Sequence, residues 1–434
     1  MARARAHAPL NVLMNGRLVG QLRRDSHGAI DFRYDPSWLA WESTLPVSLS
    51  LPLREDRFVG APVIAVFENL LPDNEAIRRR VAERAGADGT DPYSLLAAIG
   101  RDCVGALQFI PAGQPIEPPG KITGRRLSER DVGAILKDLG RSPLGITDGD
   151  FRISLAGAQE KTALLLWNGR WHSPRGATPT THILKPQIGT LPNGIDLSNS
   201  VENEHFCLEL MRAFGLPAAR SEIADFDGLR TLVVERFDRL WTRDRRLLRT
   251  PQEDCCQALS VPPGLKYESH GGPGIVRLLE LIKGSDTPAA DQTAFFKAQV
   301  IFWLIAATDG HAKNFSLRLL PGARYVMAPL YDVLSAQPSL DAGQIQRNRM
   351  KLAMSVGKTR HYVVHTIAAR HFLETAKQGR LPVDARQILD EVADTAAKAI
   401  DTVRGALPRR FPETIVESIA RGALQRRELL AASR

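Results

Sequence analysis

The chain has 434 residues, 44% of them hydrophobic and 24% charged, with a formal net charge of +9. That length builds two or three domains with cores of their own, and the ordinary balance excludes a disordered chain. Four cysteines without a C-x-x-C pair exclude a disulfide framework and fit a reduced interior. No run is apolar enough for a membrane span, and the basic start Met1 to His7 lacks the apolar core of a signal peptide, so the expected compartment is the cytoplasm, with no membrane partner. The basic surplus favours nucleic acid or an acidic protein as partner.

Residues 10–34 predict three strands. Leu10, Val12 and Met14 alternate, Asn15-Gly16 is a type I′ turn pair, Leu18, Gly20 and Leu22 keep the period, and Ile30, Phe32 and Tyr34 follow a turn. After a Pro-rich segment Leu45, Val47, Leu49, Leu51 and Leu53 alternate again. Helical spacing at Val63, Phe67, Leu70 and Leu71 ends at Pro72, a second helix starts at Asp91-Pro92, and Cys103 to Ile110 reads as a buried strand. The polar groups of Phe67 to Asn74 are those of helix-end capping. Residues 1–147 are therefore expected to form a small β-rich docking domain. Within it, Pro111 to Gly120 is a surface connection, and Ser128 with Asp131 caps a helix carrying Val132, Ile135, Leu136 and Leu139. The boundary is expected at the turn Ile146-Thr147-Asp148-Gly149-Asp150.

Phe151 to Leu166 reads as apolar strand, small-residue turn, apolar strand. Ala156-Gly157-Ala158 has no side chain to keep a ligand from the backbone, so the turn is either a plain hairpin or a phosphate-binding nest to which Lys161 adds charge. The strand Thr181 to Lys185 ends in a lysine that either snorkels at an edge or clamps nucleotide phosphates. A helix over Ser198 to Phe214, capped by Ser198 or Ser200, carries Glu202 and Glu204 early. These either favour the helix dipole, or one of them pairs with Lys185 as protein kinases pair a strand lysine with a helix glutamate. Thr231 to Asp238 is a buried strand turning polar, as a kinase hinge does. Helical patterns follow at 275–283, 291–307, 385–406 and 412–430, while 336–350 lacks periodicity and suits a mobile activation segment.

The run Phe295 to Ala306 is apolar nearly all round and predicts a buried helix. It opens into Ala307-Thr308-Asp309-Gly310-His311-Ala312-Lys313-Asn314-Phe315-Ser316, where acid, base and amide replace apolar residues. An Asp with an Asn five residues on is the interval of the kinase catalytic loop, in which the acid accepts a hydroxyl proton and the amide holds a metal. In Pro329-Leu330-Tyr331-Asp332-Val333-Leu334 a lone carboxylate at the end of a short strand is a candidate second metal ligand.

Four stretches make the likeness specific: Ser154-Leu155-Ala156-Gly157-Ala158-Gln159-Glu160-Lys161, Pro251-Gln252-Glu253-Asp254, Tyr267-Glu268-Ser269-His270-Gly271-Gly272-Pro273-Gly274, and Thr308 to Ser316. With Phe67-Glu68-Asn69-Leu70-Leu71-Pro72 they resemble the HipA toxins, serine/threonine kinases of toxin–antitoxin modules. The resemblance spans almost the whole chain. It implies an α+β fold: a bilobal kinase-like core with a nucleotide-binding lobe over 148–237 and a mostly helical lobe over 238–434, behind the β-rich N-terminal domain.

By position, the resemblance makes Asp309 the catalytic base and Asn314 and Asp332 the ligands of Mg²⁺. ATP would be held by Ala156, Gly157, Ala158, Gln159, Glu160 and Lys161, by Lys185, by Glu235, Arg236 and Phe237 at adenine, and by His311, Ala312, Lys313, Asn314, Tyr331 and Asp332. Ser154 matches the family's autophosphorylated serine. Its alternation with Phe151 and Ile153 suggests burial, and a phosphate there would drive the loop outward and silence the enzyme. The implied partners are a dimeric helix-turn-helix antitoxin resembling HipB, operator DNA touched through Lys377 and Arg380, and a protein substrate, with an aminoacyl-tRNA synthetase as leading guess. There is no His-Arg-Asp, so activity should not await activation-loop phosphorylation. A nucleotide-binding corepressor scaffold without kinase activity is the competing reading, and a small-molecule or lipid kinase would share the same pocket.

Overall fold

The computed structural model describes residues 7–120, 122–146 and 153–431. The expected boundary turn beyond Ile146, Phe151 with Arg152, and Met1 to Ala6 lie outside the described residues. The fold is α+β, in two compact units: residues 1–186, 224–264 and 317–324 form the first, and 187–223, 265–316 and 325–434 the second.

The first unit is built on two large sheets, of five and six strands. The strands Leu10–Met14, Arg17–Arg24 and Ile30–Tyr34 form the expected meander, with Phe58–Val59 and Leu107–Pro111 at its two edges, all antiparallel. Asn15 and Gly16 both have positive φ, 46° and 80°, as the type I′ turn requires. At Gly20 a Cβ would lie 2.3 Å from the Arg33 carbonyl oxygen, so the strand crossing admits no side chain. Phe32, Tyr34, Phe67 and Phe109 meet edge to face beneath this sheet. Pro92–Ile99 has the expected Asp91 cap. The helix Glu75–Ala85 is an addition: Asn74, read as the end of one helix, caps the start of this one by accepting from the N–H of Ala76 and Ile77. Leu45 to Leu53 is not a strand and makes only an isolated bridge between Ser48 and Leu51.

The second sheet runs in the order Ser221–Phe226, Leu229–Glu235, His182–Pro186, Thr162–Trp167, Arg170–Pro174, Gly124–Arg126. The hairpin expected over 151–166 is absent among the described residues. Ile153 to Lys161 is irregular, and Thr162–Trp167 pairs with the strands that follow it. The first unit also holds a buried ionic cluster. Asp102 accepts from Arg239 and Arg249 at 2.9 Å each and from the Thr180 hydroxyl at 2.7 Å, while Asp238 accepts from Arg236 at 2.7 Å and Arg239 at 3.0 Å. Burial opposes ionisation of both aspartates, but the guanidiniums around them hold their carboxyls below the usual range.

The second unit is mostly helical, around Pro288–Ile305, whose residues from Phe295 onward are all buried. Lys297 is tolerated inside because its ammonium donates to the Phe214 carbonyl at 2.6 Å and pairs with Glu391 at 2.7 Å. Ala385–Ala406 and Glu413–Ala431 pack on this helix. Two local readings change. Ser200–Ala213 is capped by Asn199 without a side-chain bond, because Ser198 is drawn to Asp196 and the Ser200 hydroxyl accepts from the Ile188 N–H. Residues 336–350 contain the helix Gln337–Asp341 and a 3₁₀ turn Arg347–Arg349. No helix among the described residues is long and apolar enough to cross a membrane, and all four cysteines are buried and free.

Candidate functional site

In the second unit the buried helix ends at Ala306, which takes a left-handed conformation (φ 54°) and donates to Phe302 and Trp303. An alanine there costs more than glycine would, and the strain turns the chain outward. Gly310 faces Phe302, with no room for a Cβ, which would lie 2.4 Å from the ring. Between them Asp309 stands exposed, its side chain 59% accessible.

The loop holds itself. The Asn314 amide donates to the Asp309 carbonyl at 2.8 Å, and the backbone N–H groups of His311 and Asn314 donate to Asp309 and His311. With its N–H end so engaged, Asn314 presents its Oδ1 as the end available to a cation. Ala312 and Lys313 are buried in the 3₁₀ turn Ala312–Asn314. Tyr331 donates to the Lys313 carbonyl at 2.8 Å and lies 2.6 Å from the Ser316 hydroxyl, which lays the 329–332 segment along this loop. The segment is pinned further at Leu330 by Pro217 and Ala219, and at Ser335 by Asn203 and the Ile305 carbonyl. Asp332, between these fixed points, has φ 58°. It does not end a strand as expected; the nearest strand is Arg324–Met327, and the carboxylate is carried on a strained turn.

Magnesium takes a carboxylate or two plus waters and phosphate oxygens, and rarely a protein-only cage. One amide oxygen and one carboxylate on adjoining segments fit that donor set. The described residues hold no cluster of three His, Cys, Asp or Glu side chains that would favour another metal. Glu202 and Glu204 are both buried, and Glu202 accepts from the Gln187 amide at 2.7 Å. Lys377 and Arg380 are exposed at the end of the helix Ala369–Gln378, with Arg380 at φ 50°.

In the first unit Ser154 is fully buried. Its hydroxyl donates to the Leu70 carbonyl at 2.7 Å and its N–H to the Asp102 carbonyl at 3.0 Å. Gly157 has φ 101°, and a Cβ on it would sit 2.6 Å from the Lys161 ammonium, which itself donates to the Ala156 carbonyl at 2.9 Å. The Gly157 carbonyl accepts from the Asp73 N–H at 3.2 Å, Glu160 pairs with Arg80 at 2.7 Å, and Gln159 donates to Pro186. Ala158 lies in the same bend. Lys185 is buried in the strand His182–Pro186, opposite Leu232. The Arg236 guanidinium belongs to the ionic cluster and its backbone N–H donates to the Thr181 carbonyl, so in the extended strand the peptide groups of Glu235 face the other way, while Phe237 lies in the turn that follows.

Sequence reasoning missed Tyr267. Its hydroxyl donates to Asp309 Oδ1 at 2.6 Å, and its ring meets His311 edge-on with centroids 4.9 Å apart. It belongs to the Tyr-Glu-Ser-His-Gly-Gly stretch, whose glycines were the available signal. At Gly272 a Cβ would lie 1.9 Å from the Leu265 carbonyl.

Residues 153–400 match the HipA-like C-terminal domain and residues 10–110 the HipA N-terminal domain. The chain is 38% identical over 403 residues to a protein of Sinorhizobium fredii named putative kinase Y4mE, covering 91% of each. It is 28% identical over 361 residues to the serine/threonine-protein kinase toxin HipA of Shewanella oneidensis, covering 80% of this chain and 78% of that one. A structure of the Shewanella oneidensis toxin–antitoxin complex of HipA, HipB and operator DNA superimposes with a TM-score of 0.80 at 24% identity, over 96% of both chains. With both domains matched in order and a relative alike along nearly its whole length, this chain belongs to the HipA family.

Proposed function

We propose that the protein is an ATP- and Mg²⁺-dependent serine/threonine protein kinase that acts as the toxin of a toxin–antitoxin module. The observation that carries this reading is the Asp309 loop: an exposed carboxylate on a self-braced turn, with an amide oxygen five residues on and the Asp332 carboxylate on the adjoining segment. Asp309 accepts the proton of a substrate hydroxyl as its oxygen bonds to the γ-phosphorus and the bond from that phosphorus to the β-bridging oxygen breaks, releasing ADP. Asn314 and Asp332 would hold Mg²⁺, which when bound neutralises charge on the phosphates. Lys185 and the loop Ala156 to Lys161 serve the phosphates, and the backbone of Glu235 to Phe237 serves adenine. His311 to Asn314 and Tyr331 shape the pocket. The membership of Gly124–Arg126 in the second sheet favours ending the docking domain before that strand.

Ser154 is the autophosphorylation site in this reading. Its buried hydroxyl is a donor to a carbonyl, and a phosphate offers that carbonyl only acceptor oxygens and negative charge. A helix-turn-helix antitoxin and operator DNA are the proposed partners, with Lys377 and Arg380 as DNA contacts, and a component of translation such as an aminoacyl-tRNA synthetase is the proposed target. The test is incubation with labelled ATP and Mg²⁺. Wild type should label itself within the 153–161 peptide, and Asp309→Gln should lose about 10³-fold in rate at unchanged melting temperature. Labelling by Asp309→Gln at the wild-type rate would overturn the assignment. Nucleotide binding without any transfer by wild type would favour the corepressor reading.

A further inference from the structure

We propose that Tyr267 is a positioning residue for the Asp309 carboxylate, holding it in the orientation that meets the substrate hydroxyl. This rests on the kinase reading above. The Asp309 side chain is exposed, so its orientation is set by the groups that bond to it and not by packing. Its backbone is fixed by Asn314, but that bond leaves the side chain to turn. The Tyr267 hydroxyl restrains the side chain, donating to Oδ1 at 2.6 Å, while Oδ2 faces His311 Nε2 at 3.9 Å. A phenol donates one proton, and a carboxylate held at Oδ1 keeps both of its oxygens at set positions for the substrate's.

The tyrosine is itself held, which separates a fixed brace from a hydroxyl that merely rests on the acid. Its ring is wedged edge-on between His270 and His311, with centroids 5.6 Å and 4.9 Å away, and the Lys266 ammonium lies 5.5 Å over it. The next residue, Glu268, accepts from the Ser355 N–H at 2.6 Å and hydroxyl at 3.0 Å. Gly271 at φ 92° and the crowded Gly272 close the turn on its other side. Near-attack geometry tolerates little freedom in the base, so the brace acts on the chemical step and not on nucleotide binding.

The experiment compares wild type, Tyr267→Phe and Asp309→Gln in the full chain. It reads phosphate transfer kinetics, affinity for a fluorescent ATP analogue and melting temperature. Tyr267→Phe keeps the ring between the histidines and removes only the hydroxyl. The expected result is a kcat about tenfold lower, the size of one lost hydrogen bond to a charged group, with KM for ATP, analogue affinity and melting temperature unchanged. An unchanged kcat overturns the proposal, as does a loss that appears equally in analogue affinity or in melting temperature, since that marks a structural role. A wild type that binds the analogue but transfers no phosphate fails the kinase reading itself, and the proposal with it. An active wild type beside an inactive Asp309→Gln and an unimpaired Tyr267→Phe fails the tyrosine alone.

Discussion

The loop Thr308 to Ser316 and the loop Ala156 to Lys161 carry complementary roles in the proposed chemistry and are held in opposite ways. The first is largely braced by itself and by the helix it leaves. Asn314 bonds back to Asp309, and Gly310 rests on Phe302, eight residues earlier. The second is tied to residues some eighty positions away: Ser154 to Leu70, Gly157 to Asp73 and Glu160 to Arg80. A locally braced loop keeps its geometry whatever the rest of the chain does. A loop tied to distant residues loses support as those ties are undone. The proposed base and the Asn314 amide sit on the first kind, the candidate phosphate cover on the second.

Breaking the local brace should cost most. Gly310→Ala drives a Cβ into the Phe302 ring, and a displacement of about 1 Å at Asp309 is worth about a hundredfold in rate. The same change should lower the melting temperature by an amount equivalent to about 1–3 kcal/mol of overpacking. Turnover measured beside a thermal melt checks both.

Ser154→Asp puts a carboxylate where a donor now meets the Leu70 carbonyl, and should weaken ATP binding about tenfold by calorimetry, the cost of one unsatisfied buried contact. Ser154→Ala removes the donor without adding charge. It should abolish the added phosphate in intact-mass spectra while transfer to substrate persists. Arg80→Ala loosens only a half-exposed ion pair, so KM for ATP should rise no more than about threefold with kcat unchanged.

The distant ties are tested separately through pH. Glu253 is fully buried, accepts from the Leu49 N–H at 2.9 Å, and is pushed by burial up to about 8. The folded protein therefore keeps a proton that the unfolded chain releases near its ordinary value of 4.5, and stability falls as pH rises between those two values. Glu253→Gln should flatten that slope, raising the melting temperature at pH 8 relative to wild type and leaving it nearly unchanged at pH 4.5. Melting curves at both pH values decide it.

The difference between the loops also explains what could be read from the sequence. The buried helix, the Asp309 to Asn314 interval, the Asn15-Gly16 turn and the Asp91-Pro92 start all rest on neighbours within a few residues, where spacing carries the information. The hairpin expected around Gly157 failed because small apolar residues beside a strand look like its partner. Here the backbone of Ser154 and Gly157 bonds instead to Asp102 and Asp73. Ser198 and Ser200 were reasonable caps by type, and lost to acceptors and donors at Asp196 and Ile188 that a cap rule does not weigh. Tyr267 was invisible for the same reason as the ties to Leu70 and Arg80. Its partner lies 42 residues on, and the glycines beside it signal a tight turn without naming that partner.

The ionic cluster of Asp102, Arg236, Asp238, Arg239 and Arg249 has a consequence for how this protein can diverge. Each member is buried, and loss of any single one breaks ion pairing away from water, most severely for the two aspartates that the three guanidiniums share, at a cost of about 3–5 kcal/mol. That is a large fraction of the stability of a domain. Replacement of the whole set by apolar side chains of similar volume carries no such penalty. The five positions are therefore coupled in descent: point changes are purged one at a time, and descendants should retain the set intact or have exchanged it together.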